Sequence, residues 1–462
     1  MADKKFRIRI RMYRQGLGDC FLLTTLGETP HHILIDCGVL KGSPNAQDRI
    51  RDVVKDIGSV TNNHLDLLVA THEHWDHLSG FSDQQAQDLF NQITIDQIWM
   101  GWTEKSGDPQ ADALHEKFDK QKQALHLALD STAMSEEKRM VEPLLRFFGY
   151  DGGLMPFAFA QSTRDALDYL KHRSSADISC CEPGEIRRLG RNSGLRFFIL
   201  GPPRDPKLLK KDLPKAGSKE SYEFAAAELL SGFFMNQEAA NGLRDLYPFD
   251  PSFRVTDPAA GRVALAKLLT EVKYDSPQAA WRKLDSKMLG LATELALQMD
   301  SDTNNTSLAL AIEVEETGDV LLFPGDAQIG NWQSWHGVKW KGEPELTMTN
   351  LYARTVFYKV GHHGSHNATL REGGLELMNN PNLVAMIPTD EVVAAKQGPK
   401  GWRMPAHGLN EVLREKTRGR LLRLDLGFDH DSISPPPGLT SGAWERFRDA
   451  VKEEELFIEY VL

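Results

Sequence analysis

Apolar and polar positions alternate with period two from Phe6 to Met12, and short β-rich runs follow at Cys20 to Thr25 and His32 to Asp36. Such alternation predicts strands with one buried face, whereas the wholly apolar run Leu65 to Ala70 predicts a strand covered on both. Asp48 to Ile57 carries helical spacing, and Asp96 to Met100 adds a further strand. From Thr103 to Arg173 the pattern turns helical, rich in Ala, Leu, Lys, Glu and Gln, as in Ala111 to Ala128 and Ser135 to Phe148. Strands return at Glu185 to Leu189 and Leu195 to Leu200 around the turn-like Arg191-Asn192-Ser193-Gly194, and a second helical stretch fills Lys207 to Met299. The remaining strands are predicted at Ser307 to Val314, Val320 to Phe323, Thr355 to Val360, Leu383 to Ile387, Leu421 to Leu424 and Leu456 to Val461. This is one domain over 1–462, a strand-rich body interrupted by helical insertions at 103–175 and 205–300.

With 41% hydrophobic and 26% charged residues in a chain of 462, disorder and coiled coil are disfavoured as the main architecture. Fifty-four Lys+Arg against 65 Asp+Glu leave a formal charge of −11, opposite to that of a protein that coats nucleic acid. Local basic runs lie at Lys207 to Lys219 and Arg414 to Arg423, and could receive an anionic substrate if they flank a cleft. No run is long and uncharged enough to cross a bilayer, and the start of the chain lacks a continuous apolar leader, so no membrane partner is expected. Four cysteines cannot build a disulfide scaffold in so long a chain, which fits a reducing cytoplasm.

The chemistry concentrates in Thr71-His72-Glu73-His74-Trp75-Asp76-His77, directly after the apolar strand. Three histidines and an aspartate where a buried strand gives way to a loop supply ligands suited to zinc or a similar divalent ion. Crowded imidazoles and carboxylates are costly to bury unless paired or metal-bound. His72 and His74 share one side of an extended segment, and a turn then lets Asp76 and His77 face a second ion.

This His-x-His-x-Asp-His run resembles the hallmark of the metallo-β-lactamase fold superfamily. The resemblance extends to Asp36 in Ile33-Leu34-Ile35-Asp36-Cys37-Gly38, to Gly325-Asp326 after Leu321-Leu322-Phe323-Pro324, and to Lys359-Val360-Gly361-His362-His363-Gly364-Ser365. Within the superfamily, Gly16-Leu17-Gly18-Asp19 and Asn304-Asn305-Thr306-Ser307-Leu308 look most like the hydrolase domain of ComEC-type DNA-uptake proteins and their free-standing relatives. The resemblance covers most of the strand-rich body and neither helical insertion. It implies an α/β fold, a four-layer αββα sandwich with metals at one edge. It also implies that His72 and His74 hold a first metal, that Asp76, His77 and either His363 or His362 hold a second, and that Asp326 bridges them. Two zinc ions are expected, or one, with manganese or iron as alternatives.

Many members carry a further histidine for the first metal where this chain reads Thr303-Asn304-Asn305-Thr306, and no histidine occurs between His172 and His336. The first ion is then weakly held, supported by Asn, completed by a distant residue such as His115, or absent. By the same resemblance Asp36 orients a ligand histidine, with Asp19 a weaker candidate for that task. Ser365 and Asn304 are candidates to donate hydrogen bonds to substrate, and His366 to protonate a leaving group. Asp76 or Asp326 would accept the proton released from an attacking water. Three functions follow: hydrolysis of a phosphodiester in a nucleotide or nucleic acid, hydrolysis of a lactone, thioester or amide, or a non-catalytic scaffold whose helical insertions bind a partner protein.

Overall fold

A computed structural model describes residues 7–131, 142, 144–149, 163–190, 193–211, 295–397, 401–428 and 434–462. The turn at 191–192, most of the second helical stretch (212–294), much of Ser135 to Phe148, and Lys215 and Lys219 lie outside the described residues. The chain divides into two units. The first comprises 1–112, 145–216 and 300–462; the second, 113–144 and 217–299, is helical in its described residues. No helix among the described residues is long and apolar enough to cross a membrane.

The first unit is an α/β body of two mixed sheets with helices. Its strands are β1 (Ile8–Tyr13), β2 (Phe21–Thr25), β3 (His32–Ile35), β4 (His64–Val69), β5 (Thr94–Gly101), β6 (Asp177–Cys181), β7 (Ile186–Arg188) and β8 (Leu195–Ile199). There follow β9 (Leu310–Val314), β10 (Val320–Phe323), β11 (Thr355–Lys359), β12 (Val384–Ile387), β13 (Leu421–Arg423), β14 (Val451–Glu453) and β15 (Phe457–Val461). An eight-stranded sheet runs β14-β15-β1-β2-β3-β4-β5-β6, and a seven-stranded sheet runs β13-β12-β11-β10-β9-β8-β7. Each is antiparallel at one end and parallel at the other: β3 to β6 are parallel in the first, β10 to β13 in the second.

The period-two pattern decides which faces meet. Ile8, Ile10 and Met12 of β1, Phe21 and Leu23 of β2, and Ile33 and Ile35 of β3 join Leu310 and Ile312 of β9, Leu321 and Phe323 of β10 and Phe357 of β11 in one apolar cluster. Phe21 meets Phe323 edge-on at 5.8 Å between ring centroids, so this cluster joins the two sheets. The intervening residues point the other way. Leu22, Leu34 and Leu68 pack with Val53, Val54 and Ile57 of the helix Ala46–Val60, and Ala311, Leu322 and Tyr358 pack with Trp332 and Trp335 of the helix Ile329–Trp335. Burial of apolar area at about 25 cal/mol per Å² favours this register, since a one-residue slip would exchange the side chains shaped for the space between the sheets with those packed under the helices.

Two short strands, β6 and β14, were not marked by the sequence pattern. The basic run at Arg414 to Arg423 is also no continuous surface patch. Arg420 and Arg423 are 6% and 7% exposed. Arg420 donates to the carbonyls of Thr417 and Pro381, and Arg423 pairs with Asp425 at 2.7 Å and Glu391 at 2.8 Å.

Candidate metal centre

Both sheets present their polar groups at the carboxyl ends of neighbouring parallel strands, the place where α/β sheets open a crevice for ligands. In the first sheet β3 leads into Asp36 and β4 into Thr71. The Asp36 amide donates to the Val69 carbonyl at 2.9 Å, fixing the carboxylate beside the end of β4. That carboxylate accepts from the Thr71 amide (2.8 Å) and hydroxyl (2.7 Å) and lies 2.7 Å from His77 Nδ1. The one-turn helix Trp75–Leu78 folds Asp76 and His77 back over the strand ends. In the second sheet β10 leads into Gly325-Asp326 and β11 into His362-His363. The Asp326 amide donates to Ser307 Oγ at 3.0 Å, and Asp326 Oδ1 accepts from the His362 amide at 2.8 Å.

Local backbone is bent to achieve this. Asp36, His362 and His363 take φ of 56°, 44° and 52°, a left-handed conformation that non-glycine residues keep only where surrounding bonds over-determine it. Gly325 has φ +60°, and a Cβ there would stand 2.9 Å from that of Ser307.

Side chains from the two sheets meet in the interior. Asp76, His77, Asp326 and His363 are all buried, and one ligand atom from each lies within 4.8 Å of the others. His363 Nε2 is 2.7 Å from Asp76 Oδ2, and His77 Nε2 is 3.2 Å from Asp326 Oδ2. His72 Nε2 and His74 Nδ1 stand 3.1 Å apart, and the His72 ring is 4.2 Å from that of His77. The four-donor group contains His363; His362 contributes its amide to Asp326 and sets its ring 6.5 Å from Phe147.

Around this group, several buried polar atoms have no hydrogen-bond partner: His74 Nε2, Asp76 Oδ1, His77 Nε2, Asp326 Oδ2 and His362 Nδ1. Orphaned donors and acceptors normally cost about 1–3 kcal/mol each, and three of these atoms, Asp76 Oδ1, His77 Nε2 and Asp326 Oδ2, belong to the four converging residues, so a common partner there would relieve them. Imidazole nitrogens and carboxylate oxygens at this spacing fit a divalent cation.

The electrostatics are correspondingly uneven. Burial pulls His74 down to about 3 and His362 to about 4, and lowers His72 as well. Burial also acts on His77, yet Asp326, Asp19 and Asp36 outweigh it and push His77 well up. Asp326 is held well below the usual carboxylate range against its burial, by His77 and Lys359. Such clustered, opposed shifts mark functional sites more often than structural ones.

Lys359, given no role from sequence, is 1% exposed. Its ammonium pairs with Asp19, lies 3.2 Å from Asp326 Oδ1, and donates to the Gly325 carbonyl at 2.9 Å. Asp19 thus serves chiefly as the partner of Lys359, with His77 Nδ1 at 3.8 Å. Asp300 also went unnoticed in the sequence. It is 8% exposed, its Oδ1 stands 3.8 Å from His74 Nε2, and Asn304 Nδ2 donates to its Oδ2 at 3.3 Å. Burial, with Asp76 and Asp326 adding to it, pushes this carboxyl well above its ordinary value. An Asp four residues before a buried Asn was the available signal. Ser365 donates to Asn367 Oδ1 at 2.9 Å, and His366 is exposed in the same loop.

Phe147 and Phe148 cover His74 at ring distances of 5.4 and 5.1 Å, and Phe147 stacks on Trp402 at 5.0 Å. Trp75, between two of the clustered residues, lines a cavity of about 470 Å³ together with Lys41, Ser43, Ser79, Asp83 and Arg146. The Lys41 ammonium sits 4.4 Å from the Trp75 ring centroid. Comparison of the chain with protein-family models and with curated proteins finds no match.

Proposed function

We propose that the chain is a metal-dependent hydrolase with the αββα sandwich of the metallo-β-lactamase superfamily, acting on a phosphodiester. The observation that carries this reading is the convergence of Asp76, His77, Asp326 and His363 from opposite sheets on one buried point, with unpartnered atoms facing it. In this reading His72 and His74 would hold a first ion and Asp76, His77 and His363 a second, with Asp326 available to either. The mixed imidazole and carboxylate set suits zinc, with manganese and iron as alternatives. Divalent ions bound there supply Lewis acidity and a water acidic enough to ionise near neutral pH.

The chain's own residues do the rest. Asp36 fixes His77 through Nδ1, so that Nε2 faces inward. Asp76 Oδ1, buried without a hydrogen-bond partner, is the acceptor for a proton released on attack. Phe147 and Phe148 keep bulk water from His74. His366, exposed after Ser365, donates a proton to the departing oxygen. A net charge of −11 slows approach of a long polyanion, which favours a nucleotide-sized substrate over a polynucleotide.

The test is metal analysis joined to an ester panel. One or two bound transition-metal ions are expected, with turnover of bis(p-nitrophenyl) phosphate that falls at least about 100-fold in His77→Ala and Asp326→Ala, on the scale of losing an essential electrostatic group. Turnover of lactones or thioesters alone would replace the phosphodiester assignment, and bound metal without turnover of any ester would leave a structural centre.

A further inference from the structure

Each imidazole that offers a nitrogen to the centre has a second nitrogen pointing away, and three of the four have that second atom anchored. His72 Nδ1 lies 3.0 Å from the Thr71 hydroxyl, His77 Nδ1 2.7 Å from Asp36 Oδ2, and His363 Nδ1 2.7 Å from the Pro388 carbonyl. His74 is reversed. Its Nδ1 stands 3.1 Å from His72 Nε2, so Nε2 is its outward atom, and Nε2 is buried without a hydrogen-bond partner. Facing it at 3.8 Å is Asp300 Oδ1, also buried and also without one. The gap exceeds hydrogen-bond range by less than 1 Å. Asp300 is already aimed, because Asn304, one helical turn later, holds its other oxygen at 3.3 Å.

Resting on the hydrolase reading, we propose that Asp300 is the positioning residue of the first ion. Its carboxylate accepts the Nε2–H of His74 and so fixes the tautomer in which Nδ1 joins His72 Nε2 as a donor pair. Ligand histidines characteristically give their second N–H to a carboxylate or carbonyl, which orients the ring and raises its basicity. The helical residues 295–304 supply that carboxylate from the segment where a further histidine is missing. The hydrogen bond that Asp300 accepts thus steadies a first site with two imidazoles only.

Cobalt(II), titrated into the metal-free full chain and followed by visible absorption, tests this. Wild type is expected to take up two equivalents, the first on the Asp76, His77, Asp326 and His363 group. Asp300→Ala should weaken the second equivalent about 10–100-fold and leave the first unchanged. Asp300→Asn, whose amide oxygen still accepts from Nε2–H, should recover most of the loss, with the cobalt spectrum at saturation unaltered. Equal affinity for both equivalents in wild type and Asp300→Ala overturns the proposal, as does a changed saturated spectrum in Asp300→Asn, which would make Asp300 a direct ligand. Thermal melting of the metal-free proteins separates folding from binding: a fall in midpoint with unchanged cobalt affinity assigns Asp300 to structure alone and overturns the proposal. If wild type binds no cobalt, the metal centre itself falls, and Asp300 with it.

Discussion

At the scale of single residues, Lys359 has the sharpest consequence. It is the buried cation between Asp19 and Asp326, and removing one member of a buried ion pair strands the rest. Lys359→Met is expected to cost about 3–5 kcal/mol in chemical denaturation of the metal-free chain. A loss below about 1 kcal/mol would mean that the two carboxylates find another arrangement. Sequence made His72, His74, Asp76 and His77 visible because four polar groups follow an apolar strand at once. It favours His363, directly before Gly364-Ser365, without settling the choice against His362, since their difference lies in the left-handed turn that points one ring at Asp76 and leaves the other beside Phe147. Lys359 and Asp300 were hidden for a different reason. Each acts through a partner distant in the chain, Asp19 or His74, and no local pattern encodes that meeting.

Among secondary-structure elements, the helix Gln84–Phe90 depends on Asp83. This residue caps it by accepting from the Ala86 amide at 2.9 Å and binds Arg51 of the helix Ala46–Val60 through two bonds of 3.0 Å. Burial raises the Asp83 carboxyl, but Arg51 and the helix amides outweigh it and hold it low. Its contribution is therefore present above the unfolded carboxylate value, about 3.9, and is lost as pH falls through the lower folded value. Asp83→Ala should cost about 1–2 kcal/mol near pH 7, and the gap to wild type in urea unfolding should close as pH falls below about 4. A gap independent of pH would contradict the linkage. Most strands were legible because both sheets bury both faces and so carry apolar runs, Ile33 and Ile35 in the cluster between the sheets and Leu34 in the one under the helix. The two that escaped, β6 and β14, are the outermost strands of the eight-stranded sheet, and their exposed or half-buried positions carry little apolar signal.

For the molecule as a whole, the centre ties two layers together. Asp76 and His77 follow β4 of one sheet, while Asp326 and His363 follow β10 and β11 of the other. A ligand bound only by the folded state stabilises it by about 2.7 kcal/mol at a hundredfold excess over its dissociation constant. Treatment with a strong chelator should lower the melting midpoint by several degrees, and returning zinc should restore it; an unchanged midpoint would mean that no ion spans the sheets.

The same arrangement makes the apolar layer a gauge. Phe21 against Phe323 is part of the packing that spaces the sheets, and the Asp76–His77 and Asp326–His363 pairs meet from those same two sheets. In the proposed metal centre, rings that never touch an ion would then bear on which ionic radius fits, and trimming Phe21 or Phe323 would shift the order of affinity among divalent metals.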